Sequence, residues 1–172
     1  TLTADAYVTA LPHLRVDELV SDAMKADDAR LGRLNELEDV PVIGIHMYFT
    51  APSGHDTMRR THLIFTDGCV RWAFAKGVEQ GGPYDGLHHI HVVIGHATDF
   101  EHLSDDESVE RAVADMRQAM PGITDEVTLN TAHLVREKRA ASAPRSGGKR
   151  YRPYPSGEIA NFFIAGDWAS TG

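Results

Sequence analysis

One segment constrains the fold more than any other. Ala160-Asn161-Phe162-Phe163-Ile164-Ala165 is almost wholly apolar, and it breaks at Gly166-Asp167 ahead of Trp168 and the small-residue run Ala169-Ser170-Thr171-Gly172. A short run of that kind is expected as a strand covered on both faces. Glycine at its end lets a ligand come close to the backbone. The Asp167 carboxylate could accept hydrogen bonds from sugar-type hydroxyls, and a helix after it would offer its N-terminus to phosphate. A plain strand-to-turn Gly-Asp has the same spacing, and spacing alone favours that plainer reading.

The rest of the chain supplies the elements such a strand needs around it. Ala6–Leu11 reads as a short strand stopped by Pro12. Arg15 to Arg33 is expected to be helical, with Leu14, Leu19, Val20, Met24, Leu31 and Leu34 loosely on one face. Pro41 to Phe49 alternates: Ile43, Ile45, Met47 and Phe49 face one way, and Val42, Gly44, His46 and Tyr48 the other. Asp67-Gly68 lies between two β-prone runs, His62–Thr66 and Cys69–Phe74, as in a hairpin. His88 to His96 and Val127 to Val135 are further strands. Ser104 and Glu107 form a capping box that opens a helix with the stripe Val109, Ala112, Val113, Met116, Met120, ended by Pro121-Gly122. Pro, Gly and Ser from Ala143 to Gly157 mark a loop. The expected class is α+β or α/β with an antiparallel-leaning sheet in the middle. Trp72, Phe74, Phe65 and Met47 are its expected core.

Composition excludes several function classes. A length of 172 residues suits one domain, and a net charge of −8 argues against a nucleic-acid binder. The basic segment 131–152 (Arg136, Lys138, Arg139, Arg145, Lys149, Arg150, Arg152 against Glu137) is the one local exception and a candidate anion-binding loop. Cys69 is the sole cysteine, so neither an internal disulfide nor a cysteine-rich zinc site can form. Ten histidines invite a metal reading centred on His88, His89 and His91, with His96 nearby. Without a third clear ligand or a helical H-E-x-x-H, the expectation is no metal. Asp105-Asp106-Glu107 is a helix start, and Ser142 lacks the G-x-S-x-G context of a hydrolase. The chain shows neither a signal peptide nor a spanning segment, so a cytoplasmic setting is the expectation.

Val135-Arg136-Glu137-Lys138-Arg139-Ala140, the loop with Arg152-Pro153, and the ending Gly166-Asp167-Trp168-Ala169-Ser170-Thr171-Gly172 resemble the C-terminal region of FAD-dependent desaturases of the phytoene-desaturase type. These lie within the flavin amine oxidase superfamily, and the squalene-associated branch (hydroxysqualene dehydroxylase) is the one most resembled. Ala4–Pro12 is similar to the strand leading out of that family's FAD domain. Pro41–Phe49 resembles its first substrate-domain strand, and Ser104–Gly122 the helix before the chain returns to the flavin.

The resemblance implies FAD as cofactor, a long hydrophobic isoprenoid as substrate, and with it peripheral membrane contact. Binding of such a substrate rests on apolar area, at roughly 25 cal/mol per Å² buried. It implies cofactor contacts from Ala165, Gly166, Asp167, Trp168, Thr171, Gly172, Leu11 and Pro12, and from Arg152 as a cation beside reduced flavin. It leaves the catalytic acid or base unknown. It divides the chain into residues 1–12 (FAD-domain strand), 13–155 (substrate-binding domain) and 156–172 (FAD-contacting strand and turn). The family's G-x-G-x-x-G dinucleotide fingerprint is absent, since Gly81-Gly82-x-x-x-Gly86 does not fit it. A fragment of a longer enzyme, inactive alone, is therefore expected. Two alternatives stay open: a flavin amine oxidase acting on a soluble amine, and a non-catalytic α+β module binding metal or anion.

Overall fold

A computed structural model describes residues 3–57, 60–143 and 145–170. The described residues fall into two compact units, one of residues 1–39 with 141–172 and one of residues 40–140. Residues 13–39 and 141–155 fall with the chain ends rather than with residues 40–140. The helical segment after Pro12 and the 143–155 loop share a unit with both chain ends, because they build its small core around Val16, Leu31, Leu34, Ile164 and Trp168.

In the first unit, β1 (Tyr7–Thr9) pairs in parallel with β7 (Phe162–Ile164), with Tyr7 opposite Phe162 and Thr9 opposite Ile164. The long helix expected over 15–33 is broken into three pieces. These are α1 (His13–Leu19), α2 (Asp22–Asp27) and a 3-10 turn over Leu31–Glu36. The cause is local: Val20 and Asp28 are extended, and the Ser21 hydroxyl accepts from the Met24 amide, starting a new helix. The apolar strand at the chain's end is also less covered than expected. Phe162 and Phe163 are half-buried, and only Ile164 is enclosed, because β7 has one partner strand among the described residues.

The second unit is built on a five-stranded sheet. Its strands are β2 (Asp39–Thr50), β3 (His62–Ile64), β4 (Trp72–Val78), β5 (His88–Gly95) and β6 (Thr128–Ser142), in the order β3-β4-β5-β2-β6. The β3/β4, β4/β5 and β2/β5 pairs are antiparallel, as expected. Ile43, Ile45, Met47 and Phe49 are at most 2% exposed and meet Ile90, Val92 and Ile94 on one face. That face is covered by α3 (Asp105–Ala119) through Ala112 and Met116, with Met120 just beyond it. The capping box of α3 is formed: Ser104 Oγ accepts from the Glu107 amide, and the Glu107 carboxylate accepts from the Ser104 amide.

Two expectations about this unit need correction. Trp72 and Phe74 are not core; pairing with Val93 and His91 puts them on the sheet face opposite Ala73 and Val92, and Trp72 stays 43% exposed. The basic segment is not one loop, because 136–142 continues β6. The Arg136 guanidinium donates to the carbonyls of Phe100 and Leu103 and to Ser108 Oγ, fastening the strand to the start of α3. Among the described residues, no helix is long and apolar enough to cross a membrane.

Candidate functional site

In a parallel pair, both strands end on the same side, and ligands of open α/β sheets bind outside those carboxyl ends. The pairing of β1 with β7 therefore brings Leu11-Pro12 and Ala165-Gly166-Asp167, more than 150 residues apart in sequence, to one end of one small sheet. Two bonds hold them there. The Ala165 amide donates to the Thr9 carbonyl at 2.8 Å, and the Trp168 indole N–H donates to the Leu11 carbonyl at 3.0 Å. Gly166 has φ of +135°, and a Cβ there would lie 2.8 Å from Trp168 Nε1. Only glycine fits that bend comfortably, and it leaves the backbone bare.

The expected contact residues separate into two roles. Asp167 and Arg152 line a cavity of about 660 Å³ together with Ser170, Arg145, Lys149 and Glu38. Trp168 faces the other way: it is 3% exposed, packs into the unit's core, and meets the His13 ring edge-on at 6.2 Å between centroids. The Arg152 guanidinium donates to the Trp168 carbonyl at 3.3 Å, and the Ser170 amide to the Pro153 carbonyl at 2.8 Å. The loop carrying Arg152 is thereby tied to the Gly-Asp turn. Thr171 and Gly172 lie outside the described residues.

Sequence reasoning missed the clamp that shapes this region. Asp28 is fully buried and its carboxylate accepts from Arg30 Nε at 2.8 Å. The same guanidinium donates to the carbonyls of Tyr154, Pro155 and Phe162. Burial works to raise the Asp28 pKa, but the hydrogen bond from Arg30, the Arg30 charge and the Ile159 backbone N–H outweigh it and hold it below the usual aspartate range. The only sequence signal was an Asp-x-Arg spacing, which is too common to read.

The histidines do not assemble a metal site. His88 turns toward Thr57, with Nδ1 at 3.2 Å from the hydroxyl, while His89 and His91 point to the opposite face, as strand alternation requires. Among the described residues, no group of three or more His, Cys, Asp or Glu is placed to hold a metal ion. His89 and His91 instead stack with His46, Tyr48 and Tyr84, and His133 meets Tyr84 edge-on. Cys69 lies in the β3–β4 turn beside the Asp115 carboxylate, which accepts from the Cys69 and Val70 amides. Burial, with Asp115 beside it, pushes the Cys69 thiol up to about 12.

The chain is 27% identical over 172 residues to the 15-cis-phytoene desaturase of Synechococcus elongatus, covering 97% of this chain and 35% of the relative. It is 25% identical over 180 residues to the chloroplastic/chromoplastic 15-cis-phytoene desaturase of Narcissus pseudonarcissus, covering 98% of this chain and 30% of that one. The chain thus spans about a third of the length of these relatives. Among solved structures, cyclohexylamine oxidase from Brevibacterium oxydans IH-35A shares the fold, with a TM-score of 0.54 and 14% identity over 98% of this chain and 38% of that one. The profile of the family described as flavin containing amine oxidoreductase matches residues 1–172 in full, and the chain belongs to that family.

Proposed function

We propose that this chain forms part of an FAD-dependent oxidoreductase acting on a long isoprenoid of the phytoene or hydroxysqualene type. In this reading, the ends of β1 and β7 supply cofactor contacts. The observation that carries it is the parallel β1/β7 pair, which gathers Leu11, Pro12, Ala165, Gly166 and Asp167 at the carboxyl ends of two strands. The residues fit such a group. Gly166 keeps a bare backbone where a Cβ would collide with Trp168, and the adjoining cavity offers the Asp167 carboxylate for hydroxyls and Arg145, Lys149 and Arg152 for anionic oxygens.

When bound, a flavin would supply the redox chemistry, a hydride transfer between its ring and a substrate carbon. The chain's own residues bind and orient. Asp167 accepts hydrogen bonds from ribityl-type hydroxyls. Trp168 anchors the turn to Leu11 rather than lining the ring. Arg152 places a cation beside the turn, where it offsets negative charge. The dinucleotide fingerprint lies nowhere in these 172 residues, so the chain carries only part of a cofactor site.

The test uses the protein that carries this chain, purified and presented with phytoene, hydroxysqualene and a cyclic amine. A bound-flavin absorption band and turnover of one of the isoprenoids are expected. A colourless protein would overturn the cofactor assignment, and turnover of the amine alone would overturn the substrate assignment.

A further inference from the structure

His13 opens α1 directly after Pro12, and its side chain is 1% exposed. The proposed cofactor contacts give it no task, yet both of its ring nitrogens face atoms that accept. Nδ1 lies 2.9 Å from the Leu34 carbonyl oxygen, and Nε2 lies 2.9 Å from Oδ1 of the Asp39 carboxylate. A neutral imidazole has a single N–H, so it satisfies one of these acceptors and sets a lone pair against the other. At that distance the two lone pairs repel, and a buried acceptor goes unpaired, which folded proteins avoid. A ring protonated at both nitrogens satisfies both partners and offsets the Asp39 charge through a charge-assisted hydrogen bond. The Asp39 side chain is 12% exposed, so a proton leaving the sealed ring has a route to solvent.

The ring also touches the side chain that closes the Gly166-Asp167 turn. Trp168 meets it at 6.2 Å between centroids, a contact that an indole makes more strongly with a charged imidazolium than with a neutral one. Trp168 in turn donates its indole N–H to the Leu11 carbonyl. Asp39 is the charged side chain bonded to the ring. The other charged groups on the elements packed there pair among themselves. Arg15 pairs with Glu18 and Asp17 with Lys25 along α1 and α2, and Asp28 with Arg30 ahead of the 3-10 turn. Arg33 pairs with Glu36 on that turn, and Glu38, beside Asp39, with Arg145. Asp167 lines the neighbouring cavity.

We propose that His13 is an imidazolium paired with Asp39, and that it is a positioning residue for the turn of Gly166 and Asp167. The doubly protonated ring holds Trp168, and through it the turn, against the carboxyl end of β1. Loss of one proton removes one of the ring's two hydrogen bonds and the cation beside Trp168. The turn is therefore set while the ring is charged and loosens as the pH rises and the second proton leaves. The link to FAD rests on the proposed flavin oxidoreductase; the charge on His13 and its hold on Trp168 do not.

The first measurements use the protein that carries this chain with any flavin removed, so their outcome is separable from failure of the cofactor reading. Side-chain nitrogen NMR should show an N–H at both His13 nitrogens at neutral pH and at one of them in alkali. Protection of the Trp168 indole N–H, corrected for the intrinsic rise of exchange with pH, should fall about tenfold over the same range, the worth of one net hydrogen bond. Asp39→Asn introduces an amide that can donate to Nε2, so the ring then needs only one proton. It should show a single N–H at Nδ1 and protection that no longer varies with pH. His13→Gln should keep protection at the alkaline level throughout. With FAD added back, the unsubstituted protein should bind it about tenfold more weakly once the second proton is lost, and Asp39→Asn should remove that dependence. A single proton on His13 at neutral pH, Trp168 protection indifferent to loss of the second proton, or bound FAD whose affinity stays flat across that loss would overturn the proposal. A protein that takes up no FAD at any pH contradicts the flavin reading, while the His13 and Trp168 signals still decide this one.

Discussion

The two units of this chain reach stability by different routes. Residues 40–140 enclose one continuous apolar core in which Ile45, Met47, Phe49, Val92 and Met116 are sealed from solvent. Residues 1–39 with 141–172 have a small core and a sheet of two three-residue strands. That unit depends on polar fastenings between distant parts of the chain: Arg30 to three carbonyls beyond Gly148, Trp168 to Leu11, and His13 to Asp39. The difference teaches where rigidity and function divide. Area burial holds the first of these units, whereas a few charged and hydrogen-bonded groups set the shape of the proposed cofactor end of the other.

That contrast predicts different failure modes. Phe49→Ala empties a fully buried position and should cost about 3–5 kcal/mol, seen as a lower urea midpoint with amide protection lost across residues 40–140. Loss confined to residues 1–39 and 141–172 would break the comparison. Arg30→Met leaves Asp28 buried and unpaired and should cost about 3 kcal/mol or more, with exchange rising in the unit of the chain ends.

The same pair sets an acid response. The Asp28 pKa is depressed on folding, so its contribution is complete above the unfolded aspartate value and is lost as pH falls through the lower folded value. A pH titration of amide exchange in that unit should show loss of protection only below the ordinary aspartate range, and a loss near neutrality would contradict the clamp.

Gly166→Ala meets both a positive φ and the Trp168 indole, and should cost about 1–3 kcal/mol in thermal unfolding, with a shifted Trp168 fluorescence. The smallest effect concerns Cys69. Its thiol, pushed up to about 12, should react with a disulfide reagent at mildly alkaline pH far more slowly than a free cysteine while the protein is folded. Fast reaction would show that the β3–β4 turn is not closed by Asp115.

What the sequence made legible follows the same division. The alternation from Pro41 to Phe49 and the capping box at Ser104 each express a local rule and are found as read, whereas Asp67-Gly68 lies within a longer loop that joins Ile64 to Trp72 in the expected hairpin. The break at Val20 was hidden because apolar spacing from 15 to 33 tolerates one helix or two. The length of β6 was hidden because Arg136, Glu137 and Lys138 look like solvated loop. There, Arg136 replaces apolar burial with a set of carbonyl contacts that lie more than 25 residues away. Trp72 and Phe74 were misplaced because hydrophobicity reports preference for burial, while strand register decides the face. The Gly166-Asp167 turn was legible as a motif, but its partner strand was not, since pairing with Tyr7–Thr9 is a non-local choice.

The central claim is that the turn after β7 holds the cofactor while the sheet of residues 40–140 does not. Flavin content per polypeptide, measured on the protein that carries this chain for Asp167→Ala beside Ser104→Ala, tests it most directly. The account predicts that Asp167→Ala lowers flavin occupancy at least tenfold, whereas Ser104→Ala, which removes a helix cap worth about 1 kcal/mol, leaves it unchanged. Full flavin occupancy in Asp167→Ala, with the protein folded, would contradict it.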